Sequence, residues 1–579
     1  MATERADVIV IGGGPAGSTA AGFIRLANPE RRVVLFEREP FPRHHVGEST
    51  LPEMNAVLHK LGVLPKIQAA GFVKKTGITY KWQHDQPLFS ELFATGVLSA
   101  MEQGRAALAD CAFQVERSRY DAILLEHARS LGVEVVQPGR VEGVIVEGGR
   151  VTGVRASRGG GPVSEWSADA VVDASGQARL LSRWLKLLPS AHPLGDLAIF
   201  RYYAGFTWEE ELVGRPEGSK IFFAACPAGW IWFIPLSAER VSVGLVTRAP
   251  FLERMTAPEL FEREVAAVPE LERLLRGART TSAPGEDGAA PRTHTITDWS
   301  YSHPVAAGPG WFLAGDAAAF IDPILSSGIL LAHHSGLSCA NAISTLWRHP
   351  ELPAEELHAG YSAYYAQLYG GFLAMAQWWY QRRKVSGIDE WHALAARLGD
   401  SARGARALNH GGASSFMTFA AGFLTDFRFV NLGVGYGDRG LQIMADQQPG
   451  GAGQQVAREL LDRSALPRSQ VKSASVESYW STDVESERWW RLPEVRLQCE
   501  ATERRYRPPV PLAEREERGI QRTLSLVSHV IAACDGRRSV DDVVRYARDR
   551  LGAQQASENQ QLANLILTDL VLLGAVTLR

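Results

Sequence analysis

Residues 7–37 lay out a strand, a glycine-rich turn, a helix, a second strand and an acid, in that order. Asp7 to Ile11 (DVIVI) has no polar face after its first residue, so it reads as a parallel strand covered on both sides. Gly12-Gly13-Gly14-Pro15-Ala16-Gly17 follows and spells G-x-G-x-x-G. Ser18 to Ala27 is alanine-rich and reads as a helix. Arg32 to Phe36 (RVVLF) reads as the next strand, and Glu37 closes the unit. Each part suits a dinucleotide. Gly12 permits the tight turn. Gly14 lets backbone N–H groups reach a pyrophosphate. Ala16 and Gly17 open the helix, and Gly17 lets it pack close to the strand. The helix N-terminus favours negative charge, and Glu37 can accept hydrogen bonds from a ribose. The other reading is a glycine-rich connector in a different α/β fold.

Composition narrows the class. The chain has 579 residues, room for three or four units. Hydrophobic residues make up 45% and charged residues 22%, as in globular proteins. Lys plus Arg number 61 and Asp plus Glu 64, a net charge of −3. That balance argues against nucleic acid as a partner. The five cysteines show no C-x-x-C spacing, so neither a disulfide framework nor a metal cluster is expected. The N-terminus lacks the charge and apolar run of a signal peptide, and no segment reaches the roughly 18 apolar residues of a membrane span. The expectation is a cytoplasmic enzyme with no membrane partner.

The chain reads as four regions. Residues 1–81, 105–189 and 296–340 form a discontinuous nucleotide-binding domain. Residues 140–157 alternate around Gly148-Gly149 and predict a hairpin within it. Residues 82–104 and 190–295 are rich in aromatics and strand-like alternation, and predict a β-sheet substrate domain. Residues 341–515 read as a helical C-terminal region, with a Gly/Gln-rich stretch at 447–455. Residues 516–579 read as a small winged-helix-like module. In it Ser539-Val540-Asp541-Asp542 is a capping box, and Ala575 to Leu578 is a final strand.

Further segments identify the nucleotide by resemblance. Gly310 to Ala318 (GWFLAGDAA) is a short strand ending in Gly-Asp, with small residues opening a helix. Val171 to Gly176 (VVDASG) is another strand and turn. Val115-Glu116-Arg117 leads to Asp121, and Arg43 precedes Gly47-Glu48-Ser49-Thr50. Together these resemble flavoproteins shaped like para-hydroxybenzoate hydroxylase. The resemblance implies an α/β fold with a Rossmann-like FAD domain. It implies FAD contacts at Arg43, Ser49, Arg117 and Asp316. No second complete G-x-G-x-x-G unit is present for a nicotinamide nucleotide. A separate flavin reductase is therefore expected to supply FADH2.

Three more segments select the chemistry. Trp230-Ile231-Trp232-Phe233-Ile234-Pro235 reads W-x-W-x-I-P, and strand alternation places Trp230, Trp232 and Ile234 on one face. Phe72 to Tyr80 contains Lys74-Lys75-Thr76-Gly77-Ile78, a K-x-G-I pattern falling on Lys75, with Trp82 in register. Phe320 to Gly328 reads F-x-x-P-x-x-S-x-G. In their chain order, over residues 5–380, they resemble the flavin-dependent halogenases. The resemblance implies a flavin C4a-hydroperoxide attacked by chloride, which is held by backbone N–H groups of Ser327 and Gly328. It implies confined HOCl that travels to Lys75, with Trp230, Trp232, Ile234 and Pro235 as a barrier between flavin and substrate. Lys74 is the alternative to Lys75. Tryptophan halogenases carry Glu where Leu325 stands here, so the expected substrate is a phenol or pyrrole, free or tethered to a carrier protein. The main rival is an FAD-dependent aromatic hydroxylase of the same fold. The lesser one is a flavin reductase acting on an isoprenoid chain.

Overall fold

The structure is a computed structural model describing residues 4–52, 54–81, 88–92, 111–191, 197–253, 255–297 and 300–348. It also describes short stretches between 350 and 376, and residues 469–471, 533, 538–550, 560, 563 and 576–578. Two compact units emerge. One comprises Met1–Phe93 and Cys111–Ser386, the other Ala94–Asp110 and Gly387–Arg579.

The β-branched runs of the first unit build a six-stranded sheet. Its order is Ala307–Gly308, Trp311–Leu313, Ala170–Asp173, Val8–Ile11, Val33–Phe36 and Glu134–Val136. The last five are mutually parallel. Val8 to Ile11 and Val33 to Phe36 are buried at every position, as strands covered on both faces must be. Register puts Ile11 beside Phe36 and Asp173, and Asp173 beside Leu313. Gly12, Glu37, Ala174 and Ala314 therefore all leave the sheet along its carboxyl edge, where open α/β sheets bind ligands. The Pro15–Ala27 helix begins earlier than the sequence suggests, because Pro15 with its preset φ starts it. The expected hairpin is present as Gly139–Glu147 and Arg150–Arg158.

The second sheet has ten strands. Its central order is Leu197–Ala204, Arg240–Thr247, Gly229–Pro235, Gly218–Cys226, Val73–Lys81 and Phe89–Leu92. One face carries Ile199, Phe222, Ile231, Phe233, Val243 and Leu245, packed with Leu260, Phe261, Leu271 and Leu274 of two short helices. Fully burying a side chain of this kind contributes roughly 1.5–3 kcal/mol, so this apolar layer holds the sheet. The Ala257–Ala266 helix starts on a complete capping box, Thr256 with Glu259. The other face of the sheet is free to line a cavity.

Several boundaries differ from the sequence reading. Val73–Lys81 and Ala112–Gln114, grouped there with the nucleotide domain, belong to the second sheet. Lys75 pairs with Ser219, and Val73 with Gln114. His294–Thr297, which straddles the expected boundary, pairs with Leu197–Ala204. Strand alternation is local, whereas the partner strands lie from tens to more than a hundred residues away, so sequence cannot assign the sheet. After Asp316 no α-helix opens. Instead Gly315–Ala317 and Pro323–Leu325 are 3-10 turns flanking the Ala319–Phe320 strand, and the helix starts only at Gly328. Pro323 and the left-handed Ser326 (φ 53°) delay it.

In the second unit Val540–Arg550 is a helix capped as expected. The Asp542 amide donates to Ser539 Oγ at 3.2 Å, and the Ser539 amide to Asp542 Oδ2 at 3.4 Å. Val576–Leu578 is a strand paired with Ser469–Val471. The rest of the expected helical region 341–515 and winged-helix-like module 516–579 lies largely outside the described residues, as does Trp82.

Candidate active site

A cavity of about 890 Å³ joins the carboxyl edge of the first sheet to the free face of the second. The glycine turn forms one end. Gly12 has φ +104°, a conformation L side chains rarely adopt, and a Cβ there would lie 2.3 Å from the Ala174 carbonyl oxygen. A Cβ on Gly17 would lie 1.9 Å from the Gly12 carbonyl oxygen, so only glycine lets the helix sit this close to the strand. Gly14 precedes the helix, and no side chain caps it. Its Cβ position faces the cavity, with only Arg43 Nη2 nearby at 3.8 Å. The first helical amides therefore have no intrahelical partner and open on the cavity wall that holds Ala16.

Glu37 is buried and fixed. Its Oε2 accepts from the Gly13 amide at 2.7 Å, and its Oε1 from the Glu39 amide at 2.9 Å. Arg43 lines the cavity, its Nη2 3.7 Å from Asp121 Oδ2. Arg117 is buried and forked onto Asp121, Nε to Oδ1 at 2.8 Å and Nη2 to Oδ2 at 2.9 Å. Its third nitrogen donates to the Val46 carbonyl at 2.8 Å, tying the Arg43–Ser49 loop to the helix. Burial pushes the Asp316 carboxyl up to about 7, so near neutrality it can donate to as well as accept from a hydroxyl. Uncapped amides, a glycine-lined approach and the Arg43 cation fit the anionic diphosphate of a dinucleotide such as FAD, and buried Glu37 and half-buried Asp316 fit its hydroxyls.

The Arg117–Asp121 pair also sets a stability prediction. The guanidinium holds the Asp121 carboxyl below its ordinary range against the opposing effect of burial. A carboxyl lowered on folding stabilises the protein above its unfolded pKa, and that contribution is lost as pH falls through the folded value. Arg117→Met leaves Asp121 buried with only the longer Arg43 contact. A loss of about 3–5 kcal/mol is expected by urea unfolding at pH 7. The loss should shrink as the medium is acidified below the carboxylate range.

Aromatic side chains form the other end of the cavity. Trp230, Trp232 and Ile234 line it, while Ile231 and Phe233 face the apolar layer, as the alternation predicts. The two indoles lie 6.1 Å apart, with Phe223 edge-on to Trp230 at 5.2 Å and Phe200 6.1 Å from Trp232. The Trp232 indole N–H donates to Ser242 Oγ at 3.2 Å. Pro235 ends the strand opposite Val241 and is not on the cavity wall.

Ser327 and Gly328 line the same cavity at the start of the Gly328–Arg348 helix. The Asp322 carboxylate accepts from the Ile324 amide at 2.9 Å and shapes the turn before them. The amides at this helix start are outside the helical ladder, which suits a weak acceptor such as a halide.

Lys75 is fully buried, whereas Lys74 is exposed. The Lys75 ammonium donates to the Thr50 carbonyl at 3.1 Å, and burial lowers its pKa to about 7. Lys75 is not on the cavity wall. Ser49, the residue before its partner, is. The Glu48–Thr50 segment thus has the cavity on one side and Lys75 on the other. Its Ser49 bridges through the backbone to Gln114.

Glu48, Tyr202 and His44 were not singled out as site residues from sequence. Glu48 and His44 line the cavity, and Tyr202 joins them by hydrogen bonds. The G-E-S segment marks the neighbourhood of Glu48, but nothing local in the sequence joins it to a strand 154 residues away.

Comparison with known proteins adds an independent finding. The family model described as tryptophan halogenase matches residues 7–107 and 93–448. A tryptophan 2-halogenase of Chondromyces crocatus is 32% identical over 376 residues, covering 64% of this chain and 66% of that protein. A 1H-pyrrole-2-carbonyl-[peptidyl-carrier protein] chlorinase of Pseudomonas fluorescens is 33% identical over 348 residues, covering 58% of this chain and 75% of that one. Among solved structures, the myxobacterial chondrochloren halogenase superposes with a TM-score of 0.58 at 28% identity, covering 72% of this chain and 97% of that one.

Proposed function

The chain belongs to the tryptophan halogenase family of flavin-dependent enzymes, and on that premise we propose that it chlorinates an electron-rich aromatic of the phenol or pyrrole type. One arrangement carries the reading. A dinucleotide cradle and two cavity-facing indoles share one cavity, while the buried amine of Lys75 stands behind the adjoining Glu48–Thr50 segment. FAD, supplied reduced by a separate reductase, provides the electrons that activate O2 when bound.

The chain's own groups then divide the remaining tasks. The Gly12–Gly17 turn, Glu37, Arg43, Arg117, Ser49 and Asp316 hold the cofactor. Ser327 and Gly328 amides hold halide in the same cavity. Trp230, Trp232 and Ile234 keep the aromatic substrate off the flavin, which blocks direct oxygen transfer. Pro235 ends the barrier strand. HOCl made in the cavity is consumed at Lys75, whose ammonium donates a hydrogen bond to it and turns its chlorine towards the ring. The ring carbon takes chlorine, and the displaced proton and hydroxide leave as water. Confinement matters because free HOCl oxidises thiols and thioethers at random.

Leu325 occupies the position of the acid in tryptophan halogenases, so no carboxylate there assists a poorly activated ring. A phenol or pyrrole supplies its own electrons instead. The carrier-linked pyrrole substrate named for the Pseudomonas fluorescens relative supports testing tethered substrates beside free ones.

Halide dependence tests the reading. The protein is supplied with FAD, a flavin reductase, O2 and a panel of phenols and pyrroles, free and carrier-bound, with or without chloride. Chlorinated product that vanishes without halide is expected by mass spectrometry. Hydroxylated product formed equally well without halide overturns the reading in favour of the hydroxylase.

A further inference from the structure

The halogenation balance leaves one requirement that the groups above do not meet. Reducing O2 takes two electrons from FADH2 and two from chloride, and the oxygen atoms end in HOCl and water. Counting hydrogens, one proton beyond the two carried by FADH2 must enter the cavity at every turnover. The cavity holds a buried acid that no named role uses.

Glu48 is 2% exposed. Its Oε1 accepts from the Tyr202 hydroxyl at 2.8 Å, and its Oε2, also buried, has no hydrogen-bond partner among the described residues. The Tyr202 oxygen lies 2.9 Å from His44 Nε2. His44 is half-buried, and its ring stands 4.8 Å from that of half-buried His294, beside the exposed Arg292 and the partly exposed Glu286. A continuous run of hydrogen bonds thus leads from cavity-lining Glu48 through Tyr202 to His44, which lines the cavity too and is less buried.

We propose that Glu48, Tyr202 and His44 form a proton relay that feeds the cavity during halide oxidation. This rests on the halogenase reading above. The proton on Glu48 passes into the cavity. Tyr202 returns one to Oε1 and regains its own from the Nε2–H of His44 in the same movement, so no phenolate persists. His44 recovers a proton at its other nitrogen from the His294 side.

The surroundings suit this task. Burial raises the Glu48 carboxyl to about 7, against the lowering effects of Tyr202, Ser242 and Arg117 and with a small contribution from Glu116. It can therefore hold or release a proton near neutrality. Burial first, then His294, Arg292 and Arg117, lower His44 to about 4 despite Glu286. A neutral imidazole with one N–H and one lone pair results, which is what a relay needs. Ser242, whose effect lowers the Glu48 carboxyl, also accepts from the indole N–H of Trp232 at 3.2 Å, so the acid lies beside the barrier strand.

Infrared titration of the apoprotein gives a readout independent of turnover. Carboxyl C=O absorption titrating near pH 7 is expected from both Glu48 and Asp316 in the wild type and in Tyr202→Phe, and is expected to fall to the Asp316 component alone in Glu48→Gln. With FADH2, O2 and chloride, Glu48→Gln should form HOCl-derived product about a hundredfold more slowly, the usual scale for losing a general acid. Its rate should also fall less steeply between pH 6 and 8 than that of the wild type, keeping only the dependence on the Lys75 ammonium, which titrates near 7 as well. Tyr202→Phe keeps the acid but breaks the path behind it, so repeated turnover should slow while the first turnover stays fast. A near-neutral band unchanged in Glu48→Gln, or a Glu48→Gln rate and pH profile equal to wild type, overturns the relay. If the wild type forms no halogenated product, the functional reading fails, whereas the infrared titration still reports on Glu48.

Discussion

Replacing Lys75 with alanine is expected to abolish halogenated product while reduced flavin is still oxidised at close to the wild-type rate. The two effects separate because Lys75 is off the wall of the flavin cavity, with the Glu48–Thr50 segment between them. Nothing that holds the cofactor or the halide is removed. What disappears is the group that orients HOCl, and losing such a donor costs about 10²–10³ in rate. Folding should survive, since the change deletes a costly desolvated cation and leaves the Thr50 carbonyl short of one donor. Lys75→Met fills the volume and is expected to behave like the alanine variant. Lys74→Ala, at the exposed neighbour, should retain product. The measurement is chlorinated product by mass spectrometry against flavin oxidation followed at its absorbance. Full product from Lys75→Met would show that the amine has no role in the transfer.

Placing valine at Gly17 should remove FAD binding. The close approach at this position is to backbone, since a Cβ would lie 1.9 Å from the Gly12 carbonyl oxygen, and backbone cannot swing aside as a long side chain can. The helix must retreat from the strand, and its uncapped amides move with it. A hundredfold weaker affinity, about 2.7 kcal/mol, is the least expected. Overpacking adds a further 1–3 kcal/mol of destabilisation. Gly143→Ala is the control, because nothing lies within 4 Å of a Cβ there. Flavin fluorescence quenching measures both. A Gly17→Val protein that binds FAD like the wild type would remove the cradle from the account.

Much of this was legible in the residues because the signals are short-range. The run from Asp7 to Glu37 orders strand, turn, helix and strand without gaps, and the carboxyl edge of the first sheet follows from it. Alternation alone separated Trp230, Trp232 and Ile234 from Ile231 and Phe233, and the two sets do face opposite sides. What sequence could not give were relations across the chain. The Val73–Lys81 strand looks the same whichever sheet it joins, and only its pairing with Gly218–Cys226 decides. Glu48 looks like any loop acid until Tyr202 and Ser242, from two other strands, close over it. The delayed helix after Asp316 was missed because small residues after Gly-Asp suit a helix start. Pro323 and the left-handed Ser326 intervene.

The central claim is that oxidant made beside the flavin reaches Lys75 without entering solvent. Competition with a soluble trap tests it directly. Free methionine in large excess over the aromatic substrate should leave the wild-type yield of chlorinated product per reduced flavin unchanged, while Lys75→Ala converts methionine to its sulfoxide. Product that falls in the wild type in proportion to added methionine would mean the HOCl escapes, and the confined route would be contradicted.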